Sequence, residues 1–473
     1  MKRTKHYDCD IQKIAVIGAG SAGIAAAKYL VAENAFQNVT VLEQRASSGG
    51  MWNYTPVNDP PPPSPPSFST PVYDELESNI PTTLMQYSGL SFPEEEQLLP
   101  HHSAVLRYLQ QYAQDIEDLI TYNTEVLRVA PEGATQWAVT AQDLASQKTS
   151  TRVYDAVVVA NGHFEKPNVP DIKGLAAWGE QHPGSLLHSM AYRNENAFKD
   201  KKIVIVGTGA SGSEIATHVE RLCQHPLVIS QRHWAPKVEP DPRRLILPAI
   251  EELIPETRTV RFVDGHLEQE VDYIILCTGY LCDYPFLPNF PIIYDGKRTR
   301  NLYRHVFYIP RPTLAFIAMP LKSVPFPLSE SQAAVVSRVW SSRLALPSPA
   351  KMKRWDQAFA EHDREHGVTS PLEAAHFNIS LMQQFYDYCL EATGRPGLRH
   401  GGQGVLPPRW GEREIWIRER LGPIKAAFTA RGAARHHIRS LEELGFDFNQ
   451  WKRLVASGKG LQEAALDKKW SQS

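Results

Sequence analysis

A chain that repeats a strand-turn-helix-strand unit, each copy turning on three glycines, is confined to few folds, and this one carries it at Lys13 to Glu43 and at Lys202 to Arg232. In the first copy an apolar run from Ile14 meets Gly18, Gly20 and Gly23 in the turn GAGSAG, and a helical pattern and a second apolar run follow. In the second, Ile203 to Val206 runs into Gly207, Gly209 and Gly212, then the helical pattern Ile215 to Leu222 and the run Leu227 to Ile229. Each is a βαβ unit with a G-x-G-x-x-G turn. The first Gly makes the turn, the second lets backbone approach a pyrophosphate, and the third lets helix pack on strand, with the phosphates at the helix N-terminus. Ser21 and Ser211, inside the two turns, complete the expected phosphate-binding sets.

The copies differ where a nucleotide's ribose should lie. Glu43 closes the second strand of the first unit, about 20 residues beyond Gly23. A carboxylate there accepts hydrogen bonds from ribose hydroxyls and repels a 2′-phosphate, which suits FAD or NAD. The second unit ends Ser230-Gln231-Arg232, where a hydroxyl and a permanently charged guanidinium fork suit a 2′-phosphate. FAD at the first site and NADPH at the second is the expectation.

The rest of the chain fits around these units. Gly49 and Gly50 let backbone approach the flavin or its phosphates, and Trp52 packs on the ring or in the core. The Pro-rich stretch 56–71 reads as a stiff surface excursion without chemistry. His101 to Ile120 reads as an amphipathic helix, 124–129 and 135–142 as a hairpin, and Tyr154 to Ala160 as a strand ending in Asn161-Gly162. The segment FEKPNVPDIKG is the crossing out of the first domain, and VDYIILCTGY, with the strand Tyr273 to Leu276, echoes the earlier strand exit. Beyond it come a strand within Thr313 to Met319, a helix that Ser329 is expected to cap with Gln332 three residues on, and a C-terminal helical region that names no chemistry. The expected architecture is α/β: two Rossmann-like dinucleotide-binding domains, the NADPH domain (169–282) inserted into an FAD domain (1–168 and 283–473) that includes the C-terminal helical region.

Composition closes off other classes. The 473 residues carry a formal charge of -2 and 42% hydrophobic residues, an ordinary globular balance without the basic excess of a nucleic-acid binder. No apolar run approaches a membrane span, and no secretory h-region precedes Ile14, so a cytoplasmic protein is expected. The five scattered cysteines, Cys9, Cys223, Cys277, Cys282 and Cys389, read as reduced thiols. The adjacent His101 and His102 lack the spaced partners of a metal site, and no metal is expected.

From about residue 12 to about 335 these residues resemble the class B flavoprotein monooxygenases, specifically the flavin-containing monooxygenases of the soluble fungal type. The family marker F-x-G-x-x-x-H-x-x-x-(Y/F) stands as HPGSLLHSMAY, with Gly184, His188 and Tyr192 in place and His182 where Phe is usual. The family's N-x-P element is Asn79-Ile80-Pro81. ANGHF and LCTGY resemble its A-T-G-H-F and L-A-T-G-Y, with Asn161 for Thr and Cys277 for Ala. The resemblance implies FAD and NADPH as cofactors and O2 as co-substrate. The substrate it implies is a small molecule whose nitrogen or sulfur is oxygenated through a C4a-hydroperoxyflavin, with Asn79 beside that centre. The alternative is a Baeyer-Villiger monooxygenase acting on a ketone, against which Tyr192 stands because that group commonly ends the marker in Trp. An NADPH-dependent disulfide reductase would need a cysteine pair just after the first unit, where the chain reads GGMWNY. The sequence leaves substrate and oligomeric state open.

Overall fold

Runs such as Ile14 to Ile17 and Ala156 to Val159, apolar without alternation, are stable only where a parallel sheet is covered on both faces. Lys13–Ile17 lies in such a place, paired in parallel with Asn38–Leu42 on one side and Ala156–Val159 on the other. The computed structural model describes residues 10–56, 68, 70–232, 241–288, 290–292, 296, 299–320, 323–365 and 375–457. Cys9 and the greater part of the Pro-rich stretch 56–71 lie outside the described residues.

The sheet continues outward from Asn38–Leu42 to Ile120–Thr121, and from Ala156–Val159 to Leu314–Phe316, Phe307–Tyr308 and Leu302–Tyr303. The chain therefore leaves after Val159 and returns to the same sheet at Leu302. Between those points it builds a second, five-stranded sheet, in the order Arg244–Leu247, Leu227–Ser230, Ile203–Val206, Tyr273–Leu276, Leu186–His188, with every pairing parallel. The two crossings between the sheets are sewn together. Lys166–Pro167 pairs antiparallel with Tyr280–Leu281, and Asn168 bonds the backbone of Thr278 and Gly279 through its Nδ2 and N at 2.9 Å each.

The expected hairpin is a three-stranded antiparallel sheet, Thr124–Glu132, Gln136–Asp143 and Thr149–Tyr154, the last ending on Tyr154, the expected start of the following strand. The helix expected over His101 to Ile120 is α-helical only over His102–Ala113 and tightens to a 3-10 turn, Gln114–Leu119. Asp115, Glu117 and Asp118 fall where the helix dipole is negative, which disfavours a further α-turn.

A correction concerns Ser329. The helix starts at Pro325, so Ser329 lies inside it and donates to the Pro325 carbonyl at 2.6 Å instead of capping. Pro325 suits a first-turn position because its missing N–H is not needed there. From Phe326 to Trp340 every residue of this helix is buried, against the helix Ser21–Ala32 among others. Its polar side chains are held by partners. Glu330 accepts from Ser88 N and Oγ at 2.9 Å each and from Tyr29 Oη at 3.3 Å, and burial pushes its carboxyl up to about 7. The C-terminal region is bound to the first domain through Glu33, at the end of Ser21–Ala32. Its carboxylate meets Ser341 Oγ at 2.8 Å, Arg343 Nε and Nη2, and Arg395.

Candidate functional site

The two glycine turns are near copies. Gly18 has φ +98° and Gly207 φ +104°, a left-handed conformation that favours Gly. A Cβ on Gly18 would meet the Ala160 carbonyl oxygen at 2.7 Å, and one on Gly207 the Cys277 oxygen at 2.6 Å. The echo of ANGH in LCTGY thus has a physical source: each exit follows the parallel neighbour of the Gly-turn strand and lies against the turn. The third glycines are tighter still, a Cβ on Gly23 falling 1.8 Å from Gly18 O and one on Gly212 2.1 Å from Gly207 O.

Both helices start without a side-chain cap. Gly20 (φ -75°, ψ -174°) and Gly209 (φ -67°, ψ -174°) occupy the N-cap positions. First-turn amides left without a cap, at a positive helix end, are suited to phosphate oxygens. The residues fit a dinucleotide at each turn, and they differ in cover. Gly49 N donates to Ala19 O at 2.9 Å, and a Cβ on Gly50, which has φ +55°, would meet Gly20 Cα at 2.9 Å. Only glycine backbone lets those strands of chain touch. Trp52 is half-buried and packs against the main core, while Ser21 and Ser211 are half-buried inside their turns. Gly209 is exposed, with open space where a Cβ would stand.

At the strand ends the structure places three expected residues differently. Glu43 is buried, and its carboxylate accepts from Ala19 N at 2.6 Å and Arg45 N at 2.8 Å. Burial raises its pKa against the lowering effect of those two bonds. Two of roughly four acceptor sites are used in fastening the turn to the strand end, and the others remain for a ribose. Ser230 is 2% exposed and its hydroxyl donates to the Pro248 carbonyl at 2.8 Å, so it turns into the domain. Arg232 is exposed two residues on, beyond Gln231, whose N–H still pairs with Leu247 O.

Asn79 stands on a turn wrapped by its neighbour: Ser78 Oγ accepts from Ile80 N and donates to Ile80 O, both at 3.0 Å. Ser78 N and Thr82 N bond Pro100 O at 2.8 Å and Leu98 O at 2.9 Å, pinning the turn from both sides. Ser78 is buried while Asn79 is exposed, so a buried frame presents the amide outward.

The marker residues lie at the junction between the sheets. Gly184 (φ +82°) turns the chain into the strand Leu186–His188. Burial lowers the His188 pKa. A neutral ring accepts from Met190 N at Nδ1 (3.2 Å) and donates from Nε2 to Gly279 O (3.0 Å), tying the marker to the LCTGY exit. Tyr192 is buried, edge-on to Tyr73 at 5.3 Å and stacked on Phe198 at 6.0 Å. His182, in the usual Phe position, bonds Pro255 O through Nε2 at 2.8 Å. Sequence reasoning passed over Arg193, which donates to the carbonyls of Thr55, Met190 and Tyr192 and so joins the marker to the chain after Trp52. Its only signal was adjacency to Tyr192. Cys277 and Cys282 are buried, and desolvation pushes both thiols up to about 12.

A family model for flavin-binding monooxygenase-like proteins matches residues 11–235 and 245–393. The chain is similar to flavin-containing monooxygenase FMO GS-OX-like 4 of Arabidopsis thaliana, 34% identical over 360 residues that take in 72% of this chain and 78% of the relative. It is likewise similar to flavin-containing monooxygenase FMO GS-OX5 of the same plant, 34% identical over 401 residues, 81% and 85% of the two chains. The solved structure of S-allyl-L-cysteine S-oxygenase from Allium sativum matches with a TM-score of 0.77 at 26% identity, covering 92% of this chain and 98% of that one.

Proposed function

The chain belongs to the flavin-binding monooxygenase-like family, which uses FAD and NADPH, and on that premise we propose that it inserts one oxygen atom of O2 into a nitrogen or sulfur nucleophile of a small molecule. The balance is NADPH + H+ + O2 + substrate giving NADP+ + H2O + oxygenated substrate. The observation that carries this reading is the pair of uncapped glycine-turn helices in two joined sheets, each parallel around its glycine-turn strand, one with a carboxylate at its strand end and the other with a guanidinium. FAD, when bound, supplies the electron transfer and the activation of O2.

The chain's own residues do the rest. Gly18, Gly20, Gly23 and Glu43 seat FAD, with Gly50 and Trp52 over the first turn. Gly207, Gly209, Ser211 and Gly212 seat NADPH, and Arg232 reads its 2′-phosphate. Asn79 offers an amide that donates and accepts without titrating, suited to hold a reacting oxygen. The division of the chain into 1–168, 169–282 and 283–473 is supported by the return of Leu302–Phe316 to the first sheet and by the paired crossings. Sulfur is favoured over nitrogen by the likeness to an S-oxygenase. Against a dithiol enzyme stands the burial of Cys277 and Cys282, which raises the pKa of both thiols and disfavours the thiolate that exchange requires. Among the described residues no helix is long and apolar enough to cross a membrane.

The test is a screen of amines, thiols and thioethers, S-allyl-L-cysteine included, under 18O2 with NADPH. A product carrying one labelled oxygen, absent without NADPH, supports the reading; NADPH that never bleaches the bound flavin removes it. Asn79→Ala is expected to leave bleaching by NADPH intact while oxygenated product per NADPH falls on the order of tenfold in favour of H2O2. An unchanged product yield would sink the role of Asn79.

A further inference from the structure

Asn79 needs more than its own turn to be useful, because a reacting group misplaced by about 1 Å loses much of its effect. The backbone bonds to Leu98 and Pro100 fix the turn within the first domain. It is tied to the NADPH helix directly, by Glu75 with His218 at 3.8 Å and with Arg221 just beyond that helix at 2.8 Å, and a second time from the C-terminal region, beyond the residues matched by the family model.

Lys425, on the helix Leu421–Ala430, places its Nζ 3.3 Å from the Glu77 carbonyl oxygen, 3.5 Å from that of Ser78 and 3.4 Å from the Glu214 carboxylate. An ammonium has three N–H donors, and here three acceptors surround it. The contacts are long for hydrogen bonds, so charge carries most of their energy, and the side chains are only 19% and 11% exposed, where screening is weak. Two of the acceptors are the carbonyls just before Asn79. The third belongs to the helix Ala210–Val219, whose N-terminus is the expected NADPH phosphate site. Burial raises the pKa of the Tyr73 hydroxyl, at the start of the Asn79 segment, and the nearby charge of the same Glu214 carboxylate adds to that rise. A second clamp lies alongside, where Arg435 Nε meets both oxygens of the buried Glu77 carboxylate at 3.0 Å.

We propose that Lys425 is a positioning residue for Asn79, its ammonium locking the Asn79 turn to the NADPH helix through Glu214. The proposal rests on the role assigned to Asn79 above. When the lock is lost, the electrons of NADPH leave as peroxide: NADPH + H+ + O2 gives NADP+ + H2O2, with no oxygen transferred.

The test uses the FAD-loaded enzyme and measures H2O2 release from NADPH and O2 with no oxygen acceptor present, beside the anaerobic rate at which NADPH bleaches the flavin. Lys425→Ala is expected to raise peroxide release on the order of tenfold with bleaching changed less than about threefold, and Lys425→Arg to restore most of the parental value. Added to Asn79→Ala, it should raise release no further, because it acts through Asn79. Glu214→Gln, which removes the charge and keeps the size of the side chain, should move release in the same direction and guards against a folding defect peculiar to the Lys425 variant. If Asn79→Ala raises peroxide release and neither Lys425→Ala nor Glu214→Gln does, the positioning proposal falls alone. If the effects of Lys425→Ala and Asn79→Ala multiply in full, Lys425 acts elsewhere and the proposal also falls. If Asn79→Ala itself changes nothing, the role of Asn79 falls and takes the proposal with it.

Discussion

Gly212→Ala is expected to yield a protein that keeps its flavin and is scarcely reduced by NADPH. The added Cβ would stand 2.1 Å from the Gly207 carbonyl oxygen and 3.2 Å from Cys277 Cβ. The first obstacle is backbone and cannot rotate away. Gly207 is itself fixed, with its N–H on Ser230 O at 2.9 Å and its Cα against the Cys277 carbonyl. Relief comes only if the helix Ala210–Val219 slides along its strand, which moves the amides that would meet the NADPH phosphates. The first sheet, proposed to seat the flavin, does not share that contact. Anaerobic reduction by NADPH should slow by on the order of 100-fold or more, at an unchanged ratio of flavin to protein absorbance. Gly23→Ala carries the same clash into the first turn, at 1.8 Å from Gly18 O, and should emerge colourless or insoluble. Normal reduction of Gly212→Ala would mean that NADPH does not use this helix.

These contrasts show what in the fold was legible from the chain. A G-x-G-x-x-G turn is a local pattern because its steric demands fall within one strand-turn-helix unit, as with Gly23 over Gly18 and Gly212 over Gly207. The strand Tyr273–Leu276 was legible for a similar reason, an unbroken apolar run between turn residues. The helix around Ser329 was misplaced because a serine followed three residues later by glutamine suits a cap, and only the packing shows that burial continues upstream to Phe326. Ser230 was read as facing a nucleotide, yet its hydroxyl answers to Pro248, in a connection whose path nothing local specifies. The frame around Asn79 was least legible. Its parts, Ser78, Glu214, Lys425 and Arg435, come from three distant stretches, and a lysine on an amphipathic helix looks like any solvated charge until the fold brings carbonyls to it.

Arg232→Glu is expected to raise the KM for NADPH roughly 10- to 100-fold and to change that for NADH less than about threefold. The lower bound follows from the worth of a charge-assisted hydrogen bond, about 1.5–3 kcal/mol, with tenfold per ~1.4 kcal/mol. Repulsion between the new carboxylate and the 2′-phosphate adds to it. Exposure tempers the effect, since the guanidinium is open to solvent and its attraction is screened. The parental enzyme should therefore lose affinity for NADPH as salt rises, and the variant should lose less. The contrast with Ser230 sharpens the test: with its hydroxyl turned into the domain at 2% exposure, Ser230→Ala should leave the NADPH to NADH ratio within about twofold. Equal loss of both nucleotides in Arg232→Glu would show that another residue reads the 2′-phosphate, whereas selective loss of NADPH, reversed by Arg232→Lys only in part, would assign the fork itself.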